Sequence, residues 1–252
     1  MCGMVDRINS IRLFVTDKLQ AGISVTLDKA HAHYLGHVLR RSEGEMLILF
    51  NGHDGAWLAE ITSLSKKQCD LRLIEQISPQ QAGPDVWLIF VPIKRARLDF
   101  MAQKATELGA AKIWPVQSAY GQMKRLNDQR LEANAIEAAE QTERLDIPEI
   151  GSFQPLMDLL SDWPEDRALI FCDEAEAGLD ESLPHQILPS LKGRPAAILI
   201  GPEGGFSPEE RQAIRALPQA KPLCLGPRIL RSDTAALSAL SLYQAFCGDW
   251  TI

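Results

Sequence analysis

The order of apolar and polar residues predicts a different architecture in each half of the chain. In the first half, short apolar or alternating segments bounded by polar turns predict strands, and one segment with apolar residues at helical spacing predicts a helix. The strands lie at residues 12–15, 46–50, 57–61 and 69–74, and the helix at residues 31–41. Several short strands with one helix are typical of a small β-barrel domain, which we assign to residues 1–78.

After a linker rich in proline and glycine at residues 79–84, predicted strands alternate with predicted helices. The strands lie at residues 86–91, 113–116, 168–172, 196–200 and 221–225, and the helices at residues 98–108, 129–141 and 234–246. Gly109 is suited to end the first of these helices, because glycine adopts the left-handed conformation at little cost. The alternation indicates an α/β domain with a mostly parallel sheet over residues 85–252.

Composition places the chain among globular proteins of a reducing compartment. No apolar run reaches the roughly 20 residues that span a bilayer, and the first residues lack the apolar core of a secretory signal. The five cysteines lie far apart without a CxxC pair, which disfavours a disulfide framework and a zinc site. His31, His33 and His37 lie close in sequence but do not complete a metal-ligand set. We therefore expect a cytoplasmic protein with no membrane contact and no metal.

The net charge of −7 is unevenly distributed. Residues 1–80 hold nine basic and nine acidic side chains, whereas residues 131–192 hold three basic and fifteen acidic ones. From Lys94 to Arg130, eight basic residues stand against three acidic ones. Phosphate binding needs a local basic surface and not a basic total. This segment is therefore either a solvated helix face or a contact surface for nucleic acid.

A glycine-rich loop follows the predicted strand at residues 196–200. It reads GPEGGFSPEE from Gly201 to Glu210. Ser207 is suited to cap the next helix, with Pro208 at its first position and Glu210 completing a capping box. The loop is either a tight strand-to-helix turn or a ligand site, because open α/β sheets bind ligands at the carboxyl ends of their strands. It fits neither GxGxxG nor GxxxxGK[ST], so dinucleotide and P-loop chemistry are not supported.

A second loop, LGPRILRSDTA at residues 225–235, also follows a predicted strand and precedes a predicted helix. Ser232 or Asp233 can cap this helix through its side chain. The helix is rich in small residues, which indicates close packing against either the domain itself or a second subunit. These residues are Ala235, Ala236, Ser238, Ala239 and Ser241.

Separated motifs in a fixed order carry a resemblance to a known family. They are HYLGHVLR, QKATELG, AAEQTER, GPEGGFSPEE and LGPRILRSDTAAL. With them the chain resembles, over essentially its whole length, the bacterial 16S ribosomal RNA uracil-N3 methyltransferase family of the RsmE type. Two positions depart from the usual residues of that family: Asp233 stands in place of Glu, and Thr142 in place of Ser. Both departures keep the functional group, and the first changes how far the side chain at 233 reaches.

The resemblance implies a fold, a cofactor and a substrate. The fold is a PUA-like β-barrel at residues 1–78 followed by a SPOUT-type methyltransferase domain at residues 85–252. The latter has a trefoil knot at its C-terminal end, an exception to the rule against knots. The resemblance further implies a homodimer that binds S-adenosylmethionine in the knot and methylates N3 of uridine 1498 in 16S ribosomal RNA of the small subunit.

Residue roles follow from the resemblance together with the chemistry of uracil. Because N3 carries a weakly acidic proton, its methylation needs a base or stabilisation of the developing anion. We expect Arg231 to stabilise that anion and Glu203 to accept the proton, although a hydrogen bond that shapes its own loop is an alternative role for Glu203. Cofactor contacts are expected from Cys172, Leu199, Ile200, Gly201, Pro202, Gly204, Gly205, Phe206, Leu225, Gly226, Arg228, Ile229, Leu230, Thr234 and Ala235. Phosphate contacts are expected from Arg40, Arg41, Lys94, Arg95, Arg97, Lys104 and Arg144.

Two other functions remain open at the level of sequence. A non-catalytic RNA-binding assembly factor could retain the same fold, but the intact glycine loop and the two arginines of the second loop argue against it. A nucleotide-dependent oxidoreductase is disfavoured because the GxGxxG pattern is absent. Titration of the protein with S-adenosylmethionine and with NAD separates these functions.

Overall fold

The computed structural model describes residues 11–92, 95–173 and 182–250. Contacts divide the chain into two units, the first reaching to Ala82 and including Ala139–Ile147, the second comprising Gly83–Ala138 and the chain from Pro148 onward. The sequence prediction had placed residues 139–147 in its second domain. The last residues of the helix predicted at 129–141 therefore belong to the first unit.

Five strands of the first unit form one sheet in the order β1-β3-β4-β5-β2. They are β1 (Arg12–Phe14), β2 (Ser24–Leu27), β3 (Met46–Phe50), β4 (Ala56–Leu64) and β5 (Cys69–Ser78). β1 runs parallel to β3, and the other neighbours are antiparallel. Leu47, Leu49 and Leu71 are at most 1% exposed in the core of this sheet. β2 was not predicted from the sequence, because four residues are too short for an alternating pattern to stand out.

The helix predicted at residues 31–41 is two shorter elements. Helix α1 (Lys29–His33) begins after Asp28, whose Oδ1 accepts a hydrogen bond of 3.0 Å from the His31 backbone nitrogen. It continues as a π-helical turn at Tyr34–Val38. Arg40 follows with a φ of 53° in the left-handed region, which a helix cannot continue through.

The second unit contains a parallel sheet in the order β12-β10-β11-β6-β7-β8, with β9 paired to β7. Its strands are β6 (Val86–Phe90), β7 (Lys112–Gln117), β8 (Glu149–Ile150), β9 (Gln154–Pro155), β10 (Ala168–Cys172), β11 (Ala196–Ile200) and β12 (Ala220–Pro222). The predicted α/β class with a mostly parallel sheet is confirmed. The trefoil knot stays a prediction.

Helices cover both faces of this sheet. They are α2 (Arg95–Glu107), α3 (Asp128–Gln141), α4 (Leu156–Ser161), α5 (Pro184–Ile187) with a 3₁₀ turn at Leu188–Leu191, α6 (Pro208–Ala216) and α7 (Ser232–Phe246). Because successive strand residues point to opposite faces, Ile198 packs with α2 and α7, whereas Leu199 packs with α4 and α6. A strand buried on both faces must be continuously apolar, which is why β11 reads AAILI.

The last strand is shorter than the five residues predicted for it. β12 ends at Pro222, and the chain then leaves the sheet. The Leu223 nitrogen still donates to the Phe171 carbonyl oxygen at 3.0 Å, and the Cys224 nitrogen donates to the Ser182 carbonyl oxygen at 2.8 Å. Leu225 therefore stands beside the end of the sheet and not within it.

No helix in the described part of the chain is long and apolar enough to cross a membrane. The longest, α7, has 15 residues and lies against the sheet. A bilayer-spanning helix needs roughly 20 apolar residues.

Candidate active site of two adjoining cavities

The first cavity opens at the carboxyl ends of β10 and β11. The empty space inside it, counted out to its open mouth, is about 630 Å³. It is lined by Cys172, Asp173, Ile200, Gly201, Pro202, Glu203, Gly205, Phe206, Leu223, Leu225, Gly226, Arg228, Ile229, Leu230, Ser232 and Ala235. Both loops that the sequence analysis singled out contribute to this lining.

Twelve of the fifteen residues predicted to contact a cofactor line this cavity. The three others lie elsewhere: Leu199 is fully buried in the core between the sheet and α6, Thr234 is exposed on α7, and Gly204 lines a different cavity. Leu199 does not line the cavity because successive strand residues point to opposite faces, so its side chain points away from the face that Ile200 occupies.

Two glycines keep the backbone of this cavity open. A Cβ atom on Gly201 would come within 3.0–3.4 Å of the Phe206 ring, which is 2% exposed. Gly226 has a φ of 102°, which disfavours any residue with a side chain, and a Cβ atom there would meet no atom within 4 Å. The space beside Gly226 is therefore available to a ligand.

The predicted capping box is confirmed and does more than cap α6. The Glu210 nitrogen donates to Ser207 Oγ at 3.2 Å, and the Ser207 nitrogen donates to Glu210 Oε2 at 2.9 Å. Glu210 Oε1 also accepts a hydrogen bond of 2.7 Å from the Ala119 nitrogen. One buried carboxylate therefore holds the glycine loop to the segment after β7.

The prediction that Ser232 or Asp233 caps α7 through its side chain is wrong. The N-cap is Arg231, and its side chain makes no capping hydrogen bond. Ser232 Oγ donates to the Gly201 carbonyl oxygen at 2.9 Å, which joins the two loops directly. Asp233 Oδ1 accepts from the Thr234 nitrogen at 2.9 Å. The Ser232 hydroxyl therefore bonds to a residue distant in sequence and does not cap the helix, as its position in the sequence had suggested.

Asp173 lines the first cavity but was not predicted from the sequence. It directly follows β10, and its side chain is completely buried. Arg211 of α6 donates to it twice, from Nε at 2.6 Å and from Nη2 at 2.9 Å. The signal was available, because a polar residue at the carboxyl end of a buried parallel strand is well placed for a ligand site.

Cys172 contributes a neutral thiol to the cavity. Burial, with a smaller contribution from the neighbouring Cys224, raises the pKa of this thiol to about 12. A thiol with such a pKa is protonated at physiological pH and is a poor nucleophile. Cys172 therefore acts as a small apolar surface.

A second cavity adjoins the first. Its lining residues are Pro92, Arg97, Tyr120, Gln122, Met123, Pro202, Glu203, Gly204 and Arg231. Pro202 and Glu203 line both cavities. Gly204 lies next to Tyr120: a Cβ atom on residue 204 would stand 3.8 Å from the Tyr120 Cβ, which is an ordinary van der Waals contact. Both residues predicted to be catalytic, Arg231 and Glu203, are thus brought together here.

The charges in the second cavity differ in how far they are neutralised. Arg97 Nη1 donates to Glu203 Oε1 at 3.1 Å, and its Nε lies 3.7 Å from Asp233 Oδ2. Glu203 is thus held by Arg97 and not by its own loop. The Arg231 side chain is exposed and has no ion pair or hydrogen bond with any described residue.

Most residues predicted to bind phosphate already have acidic partners. In the second unit, Lys104 is bonded to Glu107 at 2.6 Å, and Arg97 is paired as above. Lys94 lies outside the described residues, and of Arg95 the structure describes only its place in α2. Fewer cations of the basic segment are therefore available to bind phosphate than its sequence suggests.

The predicted phosphate contacts of the first unit show the same tendency. Arg41 Nη1 lies 2.9 Å from Glu45 Oε2. The Arg144 side chain is 12% exposed, and its Nε lies 2.7 Å from Asp146 Oδ1. Arg40, in contrast, is exposed. The geometry gives Arg144 a structural role in this unit.

The histidines of the first unit do not gather metal ligands. His33 and His37 stack with ring centroids 4.9 Å apart, and His31 Nδ1 lies 2.8 Å from Asp28 Oδ1. Within residues 11–92, 95–173 and 182–250, no group of three or more His, Cys, Asp or Glu side chains is arranged to hold a metal ion.

Comparison with known proteins points to one family. The family model of an RNA methyltransferase domain matches residues 80–244, and that of an RNA methyltransferase PUA domain matches residues 27–74. Ribosomal RNA small subunit methyltransferase E of Rickettsia conorii is 32% identical over 231 residues, covering 91% of this chain and 93% of that protein. The protein of the same name from Bacillus subtilis is 33% identical over 222 residues, covering 83% and 85%.

Solved structures agree with this result. A methyltransferase of Legionella pneumophila, in complex with SAM, has a TM-score of 0.83 and 31% identity, covering 95% of this chain and 99% of that one. Ribosomal RNA small subunit methyltransferase E of Neisseria gonorrhoeae, bound to S-adenosyl methionine, also has a TM-score of 0.83, with 26% identity over 96% of this chain and all of that one.

The role of Glu210 yields a stability prediction. Glu210→Ala removes the acceptor of the Ser207 and Ala119 amides and leaves two donors unsatisfied near the core, so it should lower the free energy of unfolding by about 2–3 kcal/mol. Urea denaturation measures this change. Glu137→Ala, at an exposed position of α3, is the control and should have a small effect. Equal effects of the two substitutions would contradict the assigned role.

Proposed function

Because the chain belongs to the ribosomal RNA small subunit methyltransferase E family, we propose that it methylates N3 of uridine 1498 in 16S ribosomal RNA with S-adenosylmethionine as the donor. The observation that carries this proposal is the pair of cavities sharing Pro202 and Glu203. Methyl transfer needs donor and acceptor held in contact and in line. With the donor in the first cavity and the uracil in the second, the two would meet at these shared residues.

The lining of the first cavity suits S-adenosylmethionine by its chemistry. Apolar side chains such as Leu225 and Leu230 offer surface to a purine, and the open space beside Gly226 admits close backbone contact. Arg228 is exposed at the cavity and is suited to the carboxylate of the methionine part. When bound, this cofactor supplies a methyl group already activated by its sulfonium.

The second cavity supplies what uracil needs in order to react. N3 gains its lone pair only as its proton leaves, and negative charge then develops on the flanking carbonyl oxygens. Arg231 can donate to that charge, since its guanidinium is not engaged by any described residue. Glu203 is the one carboxylate among the described residues that line this cavity. Arg97 holds its Oε1, which leaves Oε2 as the proposed proton acceptor.

Tyr120 gives the second cavity a surface for a nucleobase. Tyr120 is 53% exposed and lines the cavity next to Gly204. A base in folded RNA must leave its stack to reach an active site, and exposed aromatic side chains stabilise such bases by stacking. We assign this stacking to Tyr120.

Mapping of the modified nucleotide tests the proposed function. Small ribosomal subunits from a strain without its own enzyme are incubated with the protein and S-adenosylmethionine, and the RNA is analysed by mass spectrometry. One N3-methyluridine at position 1498 is expected. Methylation at another atom or nucleotide would refute the specificity, and tight binding without methylation would support the assembly-factor alternative.

Filling the first cavity should weaken cofactor binding. Ala235 is 9% exposed at the start of α7 and lines this cavity, so the two methyl groups added by Ala235→Val occupy space intended for the ligand. We expect at least about a tenfold loss of S-adenosylmethionine affinity by calorimetry, equivalent to about 1.4 kcal/mol. Ala133→Val, at an exposed position of α3, is the control with the same helix penalty. Unchanged affinity in a folded Ala235→Val protein would place the cofactor elsewhere.

Two arginines of one loop should separate cofactor binding from chemistry. Arg231→Ala removes a donor to charge that develops only in the transition state, so single-turnover methylation should slow about a hundredfold. Arg228→Ala should instead weaken cofactor affinity and leave the rate at saturating cofactor close to normal. The opposite pattern in these two variants would invert the assigned roles.

We also propose that the protein is a homodimer that associates through α7. The buried alanines Ala236 and Ala239 pack inside their own unit, so they do not form the interface. The outward face carries Leu237, Ser238 and Ser241, which are only half buried. Apolar and small side chains on one face allow a second helix to approach closely.

Light scattering at micromolar concentration should therefore report twice the mass of one chain. Ser241→Arg places a long charged side chain on the outward face of α7 and should shift the protein towards the monomer. A wild-type monomer with full activity would contradict the dimer proposal.

A further inference from the structure

A third cavity continues the series of the first two. Its lining residues are Leu98, Asp99, Met123, Arg125, Leu126, Asn127, Arg130 and Leu131. Met123 lines this cavity and the second one, as Pro202 and Glu203 line the second and the first. The three cavities therefore form one track from the cofactor loops to the start of α3. The functions assigned above use only the first two.

The polar residues Asp99, Asn127 and Arg130 in the wall of the third cavity are joined by hydrogen bonds. Arg130 donates from Nε to Asp99 Oδ1 at 2.8 Å and also pairs through Nη2 with Oδ2. Asn134 supports this pair by donating to Asp99 Oδ1 at 3.3 Å. Asn127 Oδ1 accepts from the Arg130 nitrogen at 3.2 Å, which leaves its amide nitrogen as a donor. These contacts fix Arg130 and neutralise its charge.

Arg125 is the exception. Its side chain is exposed, and among the described residues it has neither an ion pair nor a hydrogen bond. The same holds for Arg228 in the first cavity and for Arg231 in the second. Each cavity along the track thus has one arginine that is free to bind an external anion.

We propose that the third cavity binds the nucleotide next to the target uridine, with Arg125 on the phosphate that joins the two. This inference rests on the proposed function, which places the target base in the second cavity. A strand that inserts one base there must carry its neighbour along the surface, and the cavity that shares Met123 is adjacent. A guanidinium suits a phosphate because it donates two parallel hydrogen bonds.

The rest of the lining suits a nucleotide rather than a bare anion. Leu98, Leu126 and Leu131 give an apolar wall for a sugar or the face of a base. The free amide donor of Asn127 can meet a carbonyl oxygen on a base edge. RNA-binding surfaces combine such apolar contact with cationic contact to the backbone.

The test combines a change in the protein with a change in the RNA. Arg125→Ala should weaken binding of a 16S RNA fragment that contains the target uridine by about tenfold, the usual scale for a charge-assisted hydrogen bond. With a fragment carrying uncharged methylphosphonates at the two linkages that flank the uridine, wild type and Arg125→Ala should bind within about twofold of each other, because the contact is then absent from both. Arg125→Lys, which keeps the charge, should recover part of the loss on the natural fragment.

The salt dependence of binding is a second readout. Loss of one phosphate contact should lower the slope of log affinity against log salt by about 0.7–0.9. Arg194→Ala is the matched control, because Arg194 is exposed before β11, away from the three cavities. It changes the net charge equally and should leave both the affinity and the slope unchanged.

Three outcomes would overturn the inference. They are unchanged RNA affinity in Arg125→Ala, an equal loss with natural and methylphosphonate RNA, and a change in oligomeric state by sedimentation, which would show that a second copy of the chain occupies the cavity. Failure of the proposed function is distinguishable, because wild-type protein would then form no N3-methyluridine in small subunits. Wild-type methylation together with an insensitive Arg125→Ala would refute the third cavity alone.

Discussion

Neighbouring strands that run parallel end at the same edge of their sheet, and the site of this protein depends on that constraint. The loops after β10 and β11, and the segment after β12, form the first cavity. Pro92 and Tyr120, which line the second, follow β6 and β7 at the same edge. Residues more than a hundred positions apart in sequence are therefore neighbours at this edge of the sheet.

The order of the strands does not by itself determine the positions of the loops. Two side chains, Glu210 and Ser232, hold the loops to one another. Glu210 accepts from both Ser207 and Ala119, which connects the glycine loop to the end of β7. Ser232 donates to Gly201 and so connects the glycine loop to the start of α7. Preorganisation of this kind matters for catalysis, because a site that is already arranged needs no reorganisation when charge develops.

The sequence predicted correctly the features that are determined by residues close together in the chain. The capping box at Ser207 and Glu210 was predicted correctly, because its donors and acceptors lie within three residues. The buried strands of the sheet were predicted because a strand covered on both faces is apolar throughout, and such runs stand out between polar segments. The cap of α7 was predicted wrongly, since Ser232 has a partner 31 residues away. The pairing of Asp173 with Arg211 was not predicted for the same reason, because the two residues lie 38 positions apart.

The difference between local contacts and contacts made across the fold also decides which cations can bind a substrate. A basic stretch of sequence says how many positive charges a segment holds, but not which of them are neutralised across the fold. Arg97 meets Glu203 and Asp233, both more than a hundred residues later, and Arg130 meets Asp99 31 residues earlier. The arginines without such partners, among the described residues that line the cavities, are those at 125, 228 and 231. Because a paired guanidinium must give up its carboxylate before it can bind phosphate, the unpaired ones bind an external anion at lower cost. A chain with a net charge of −7 can therefore present a cationic track to RNA, provided that its acidic residues neutralise cations elsewhere and leave these three free.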